Sequence, residues 1–175
     1  MTVFRQTPLP RRPGRGQLIV TDAVLEPSSA ALRSSRGPDG PHEGLVLWLG
    51  RTVGDDTLVL ALATPPIISS AQRVHVDERA VAAAARVARQ AGLGVVAQVH
   101  SHPATDTRHS DGDDQLIFMP FEGMFSLVVA DYGRGSLHPA EGAGLHQRQN
   151  GQWVQVIDPH TMRVIPAHLH DARAQ

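Results

Sequence analysis

The stretch VHSHPATDTRHSDGDD, residues 99–114, holds two histidines one residue apart and a proline directly after them. A serine follows, with three aspartates close behind it. Upstream, GVVAQVHSHP reads as a core strand stopped at Pro103, which has no N–H to give to a sheet ladder. Side chains alternate along a strand, so His100 and His102 project from one face and Ser101 from the other. After Pro103 the chain turns, and Ser110 and Asp113 lie close enough along the returning loop to meet the two imidazoles. Two nitrogens and one carboxylate make a three-ligand set with an open position, the arrangement of catalytic rather than structural zinc sites.

The rest of the chain sets bounds on that reading. With 175 residues it fits one domain with a sizeable core. The net charge of −1, from 16 basic and 17 acidic residues, marks the chain for neither nucleic acid nor a membrane surface. There is no cysteine, which excludes disulfides, thiolate metal sites and a cysteine nucleophile. No run approaches the roughly 18 apolar residues of a spanning helix, and the N-terminus lacks the apolar core of a signal peptide. A cytoplasmic protein is expected. Every basic residue is arginine, and the Ala, Gly and Pro content points to a GC-rich coding bias as the cause.

Residues 1–16, MTVFRQTPLPRRPGRG, are rich in Pro and Arg and predict a flexible arm, leaving 17–175 as a single domain. QLIVTDAVLE begins as a strand, and EPSSAALRSS has the chemistry of a helix start. LVLWLG and TLVLALAT bracket a Gly-Asp turn and predict an antiparallel pair. PPIISSAQRVHV reads as an irregular, partly extended connection. DERAVAAAARVARQAG is a helix capped by Asp77 and ended at Gly92. QLIFMP allows a short helix, FSLVVADY is a buried strand, and GLHQRQNGQWVQVI carries an Asn-Gly hairpin signal. The order is that of a mixed α/β sheet with one prominent central helix.

An H-x-H pair alone says little. With ten histidines, chance supplies one in roughly every two such chains. His168 and His170 form a second pair in AHLHD, with no partner motif. The whole pattern H-x-H-P-x6-S-x-x-D is another matter, with a chance expectation on the order of 10⁻⁴. S-x-x-D is also a capping pattern, so Ser110 can cap a short helix starting at Asp111 whatever else it does. Asp111 and Asp114 read as solvated loop charges, either able to replace Asp113 if the loop register differs. His109 and Arg108 read as loop surface.

His100, Ser101, His102, Pro103, Ser110 and Asp113 resemble the JAMM motif of the JAB1/MPN/Mov34 metalloprotease family, and the resemblance covers about residues 17–157. It implies an α/β fold, a curved mixed β-sheet flanked by helices with cytidine-deaminase-like architecture. It also implies one zinc ion per chain, held by His100, His102 and Asp113, and an upstream glutamate near the start of a core strand. Of five glutamates, Glu43 in PHEGLVLWLG opens an apolar strand, with Gly50 closing it. Glu26 and Glu78 read as helix-start residues, and Glu122 and Glu141 follow the metal motif. Glu43 then takes the proton of a zinc-activated water and passes it to the leaving amine, while Ser110 donates to the oxyanion.

The implied activity is zinc-dependent isopeptide or peptide cleavage. The substrate expected is the C-terminal tail of a ubiquitin-like protein, in deconjugation or precursor processing. Activating (E1-like) and conjugating (E2-like) enzymes are the accompanying partners, as in bacterial antiviral conjugation operons. Two alternatives stand beside this: a small-substrate JAMM peptidase acting on a sulfur-carrier protein tail, and a non-catalytic MPN scaffold. The long insertions of lysine-linkage-selective relatives have little room here, so substrate choice transfers poorly.

Overall fold

A computed structural model describes residues 8–116 and 120–168. The chain begins with short strands Arg11–Arg12 (β1) and Leu18–Thr21 (β2), then helix Leu25–Ser34 (α1). Strands Arg36–Gly37 (β3), Gly40–Pro41 (β4), Leu45–Val53 (β5) and Asp56–Ala63 (β6) follow. Next come Ile68–Ser70 (β7), Arg73–His75 (β8) and helix Glu78–Gln90 (α2). The second half is Gly94–Ser101 (β9), Phe125–Val129 (β10), Gly144–Gln149 (β11), Gln152–Val156 (β12) and Met162–Ile165 (β13). Nine strands form one mixed, curled sheet in the order β1-β12-β11-β10-β9-β5-β6-β2-β13. Two two-stranded ribbons, β3-β4 and β7-β8, stand apart from it.

Alternation along β5 decides which helix covers which face. Val46 and Trp48 point to the α1 side, where they pack with Val24, Leu32, Val99, Phe125 and Leu127. Leu45 and Leu47 point to the α2 side and meet Val74, Val76, Ala80, Ala84 and Trp153. The small alanine face of α2 lets that helix lie close against the sheet. Its start is fixed as the sequence predicts: the Asp77 carboxylate accepts the Ala80 N–H at 2.8 Å. The Asn-Gly turn also forms as expected, with Asn150 (φ 54) and Gly151 (φ 74) both left-handed between β11 and β12.

Several expectations change. β5 does not close at Gly50 but runs on to Val53, with register shifts against both neighbours between Trp48 and Gly50. Glycine is required there because a Cβ would sit 1.7 Å from the Leu58 carbonyl oxygen. PPIISSAQRVHV is partly extended, as read, but its extended parts, Ile68–Ser70 and Arg73–His75, pair as the antiparallel β7–β8 ribbon, and the carbonyl of Ser70 accepts the Glu43 N–H at 2.9 Å.

Residues 8–16, read from composition as part of an arm, lie along the sheet edge. β1 runs parallel to β12, and the carbonyls of Pro10 and Arg12 accept the N–H groups of Gln155 and Ile157 at 2.8 and 3.1 Å. Proline gives no donor but keeps its carbonyl, so a Pro-rich extended segment can still cover an open edge. Residues 1–7 lie outside the described residues.

Trp48, fully buried, donates its indole N–H to Ser28 Oγ at 2.8 Å, and that hydroxyl donates to the Val24 carbonyl at 2.7 Å. Ser28→Ala leaves the indole N–H buried without an acceptor. It should therefore cost about 1–3 kcal/mol in urea unfolding; a loss of only a few tenths would show that the pair contributes nothing net.

Candidate metal centre

The site forms where β9 ends. Leu45 of β5 lies opposite His100 of β9, which carries Glu43, two residues earlier, to the level of His102. Ser101, on the opposite face, clamps this alignment. Its Oγ accepts the Gly44 N–H at 2.9 Å, and its N–H donates to the Gly44 carbonyl at 3.1 Å. The middle residue of H-S-H thus seats the segment that bears Glu43, a role the sequence did not reveal.

His100 Nε2 lies 3.3 Å from His102 Nε2 and 3.2 Å from Asp113 Oδ1, while His102 Nε2 lies 3.2 Å from Asp113 Oδ2. The His–His separation suits two nitrogens on one ion with bonds of about 2.0–2.1 Å, and each histidine faces a different oxygen of the Asp113 carboxylate. The tautomer fits as well. His102 Nδ1 meets the Asp106 carbonyl at 2.7 Å, so Nδ1 carries the proton and Nε2 offers its lone pair. Among the described residues this is the one group of three side chains close enough to hold a metal ion.

Burial opposes charge at this site and is overcome by pairing. It would raise the Asp113 carboxyl, yet His100 and His102 hold it well below the usual carboxylate range. It likewise disfavours a charged His102, but the hydrogen bond and charge of Asp113 raise that imidazole. Glu43, 5% exposed, is pushed up to about 7, chiefly by burial and partly by Asp113, with His102 and the Val74 N–H pulling the other way. Glu43, His102, Ser110 and Asp113 share a cleft of about 740 Å³ between the β7–β8 ribbon and the 103–116 loop.

The loop register is set by reciprocal bonds. The Ser110 N–H donates to Asp113 Oδ2 at 2.6 Å, and the Asp113 N–H donates to Ser110 Oγ at 3.3 Å. No helix starts at Asp111: the helical turn is Asp113–Gln115, and its N-cap is Gly112 with no side-chain cap. The Ser110 Oγ bond closes the loop just before it, leaving the hydroxyl proton to donate elsewhere. Asp113 joins the histidines; Asp111 is exposed outside the group, and Asp114 Oδ1 meets His109 Nδ1 at 3.1 Å.

Arg108 is surface, as read, with its guanidinium on the Asp106 carboxylate. His109 is not: it is 3% exposed, because its ring stacks on buried His146 with centroids 4.0 Å apart. No motif marked His146; its register opposite Ser126 on β10 is what brings it there. His168 is exposed and apart from the centre, and His170 lies outside the described residues.

A mixed, curled sheet with two helices and a His-His-Asp group at a strand end defines a JAB/MPN-type domain. The family model for prokaryotic homologs of the JAB domain matches residues 26–141, and the chain belongs to that family. No curated protein matches the sequence. The solution structure of a protein from Desulfitobacterium hafniense is similar at 20% identity, covering 88% of this chain and 100% of that one, with a TM-score of 0.63. The crystal structure of a JAB1/MPN domain protein from Archaeoglobus fulgidus shares 18% identity over 85% of this chain and 98% of its own, with a TM-score of 0.48. No helix among the described residues is long and apolar enough to cross a membrane.

Burial holds the His109 and His146 imidazoles neutral, His146 down to about 3. A depressed folded-state pKa means that the unfolded chain takes up protons first, so stability is full above about 6.5 and falls as pH drops toward 3. His102, shifted upward, works in the opposite sense. Urea unfolding of chelator-treated protein between pH 7 and 5 should therefore become shallower in pH for His146→Gln, by up to about 1.4 kcal/mol per pH unit. An unchanged slope would show that His146 takes up a proton in the fold as readily as in the unfolded chain.

Proposed function

We propose that this protein is a zinc-dependent isopeptidase or peptidase of the JAMM type, cutting directly after the C-terminal tail of a ubiquitin-like protein. The observation that carries the reading is Glu43: a buried carboxyl with its pKa pushed up to about 7, in the same cleft as His102 and Asp113 of the ligand group. A non-catalytic scaffold would need neither. Two imidazoles and one carboxylate, in a chain without cysteine, suit zinc among biological cations. Held by these three residues, zinc would supply Lewis acidity toward a carbonyl oxygen and toward water.

The protein's own groups do the rest. Glu43 accepts the proton of the attacking water and delivers it to the leaving amine nitrogen, a task for which a pKa near 7 is suited. The Ser110 hydroxyl donates to the substrate oxygen as it gains negative charge. The cleft is bordered by the β7–β8 ribbon, with Arg73, Val74 and His75 of β8 in its lining, so an extended tail can lie along that strand. A flexible tail of a ubiquitin-like protein has that form, which makes such a protein or its conjugates the proposed partner, in a cytoplasmic setting with E1- and E2-like enzymes.

Purified protein should contain one zinc, and His100→Ala should lose it; stoichiometric zinc in that variant would refute the ligand set. Glu43→Gln should keep zinc and fold while losing about 10²–10⁴-fold for each proton transfer it served. Ser110→Ala should lose about 10²–10³-fold in kcat. The substrate reading is tested by incubating the enzyme, with and without chelator, with fusions of a ubiquitin-like protein encoded beside it, and reading products by intact mass. Chelator-sensitive cleavage at the tail boundary supports it. Intact fusions, with a sulfur-carrier adduct processed instead, would replace it with the small-substrate activity.

A further inference from the structure

Beneath the loop that bears Ser110 and Asp113 runs a buried polar chain that the proposed chemistry does not use. Gln98, fully buried and on the same face of β9 as His100, donates its Nε2 to Ser126 Oγ on β10 at 3.0 Å. The Ser126 hydroxyl, having accepted that bond, has its proton for His109 Nε2 at 2.8 Å. Nδ1 of His109 then carries the ring proton and donates to Asp114 Oδ1 at 3.1 Å. The His109 backbone N–H points to His146 Nε2 at 3.4 Å, beneath the stacked rings. Every member has a defined direction, and the imidazole is neutral and bonded at both nitrogens.

This chain meets the metal centre at two points. His109 immediately precedes Ser110 and lies four residues before Asp113, within a loop whose Ala104, Thr105, Arg108, Asp111 and Gly112 are exposed. No strand ladder fixes this loop: besides the buried ring, it is tied by single bonds from the Asp131 N–H to the Ala104 carbonyl, from Thr107 Oγ1 to the Gly142 carbonyl and from Trp153 Nε1 to the Asp114 carbonyl. At the other end, Gln98 shares its strand face with His100, and Gln98 Oε1 and His100 Nδ1 are both buried without a hydrogen-bond partner. With His100 Nε2 turned to the ligand group, Nδ1 is the ring nitrogen that carries the proton.

We propose that His109 is a positioning residue for the metal centre: through Ser126 and Gln98 it locks the loop bearing Ser110 and Asp113 to the strand bearing His100. The inference rests on the reading of His100, His102 and Asp113 as metal ligands, but not on any peptidase activity.

The test is zinc affinity, measured by competition with a chromophoric chelator, together with the visible absorption of the cobalt-substituted protein. His109→Phe keeps a stacking ring and loses both ring hydrogen bonds; Ser126→Ala removes the middle of the chain with little change of volume. Both should bind zinc about 10–100-fold more weakly than the parent protein and shift the cobalt bands, the size of effect expected when a group orienting a metal ligand is removed. His109→Gln, able to keep one bond, should fall between. A merely structural histidine would lower the melting temperature and leave affinity and spectrum alone. Folded His109→Phe and Ser126→Ala proteins that bind zinc within twofold of the parent, with unchanged cobalt bands, overturn the proposal. If His109→Phe does not fold, Ser126→Ala decides. A parent protein that takes up no zinc overturns the ligand assignment and this inference with it. One that binds zinc yet cleaves no fusion defeats only the peptidase reading, and the variant affinities still decide this one.

Discussion

The antiparallel register of β5 on β9 is the constraint from which the centre follows. Leu45 opposite His100 puts Gly44 beside Ser101 and Glu43 beside His102, and the paired bonds between Gly44 and Ser101 hold that alignment. A slip of one residue would turn every side chain of β5 to the other face, sending Leu45 and Leu47 toward α1 and Trp48 toward α2. Two dissimilar cores, one built around a tryptophan bonded to Ser28 and one around alanines, make that slip costly. The geometry of the centre is therefore enforced by apolar packing on both faces of the sheet.

The α2 face of the sheet is not uniformly apolar. Gln98, Ser126 and His146 lie in register across β9, β10 and β11, all buried. Burying such groups is unfavourable unless they bond to one another, and a run of aliphatic residues would pack the same positions at less cost. The departure from the packing optimum lies under the loop that bears Ser110 and Asp113, which is where a sequence gives up stability for the geometry of a site.

Much of this was legible in the chain. Helix α2 announced itself by Asp77, an alanine-rich body and Gly92; the β11–β12 hairpin by Asn150 and Gly151; the ligand strand by alternation ending at Pro103. What stayed hidden depended on contacts distant in sequence. Residues 8–16 carry no periodicity, and their place on the edge depends on β12 needing acceptors and donors about 145 residues away. The β7–β8 ribbon is too short for a repeating pattern to show. His109 looked like a loop residue because its neighbours are polar and its stacking partner, His146, lies 37 positions on. Glu43 was picked out because the JAMM resemblance implies an upstream glutamate that opens a core strand, but its displaced acidity is a property of burial that no local pattern reports.

The two tryptophans divide the molecule between them. Trp48 is sealed against α1 and senses only the scaffold. Trp153, on the other face, presents its edge to His109 at 5.2 Å and its indole N–H to the Asp114 carbonyl at 3.4 Å. Its emission is consequently an internal gauge of whether the 103–116 loop is seated, while that of Trp48 records whether the sheet is folded. Loosening of the loop and loss of the fold become separable optical events within one unlabelled chain.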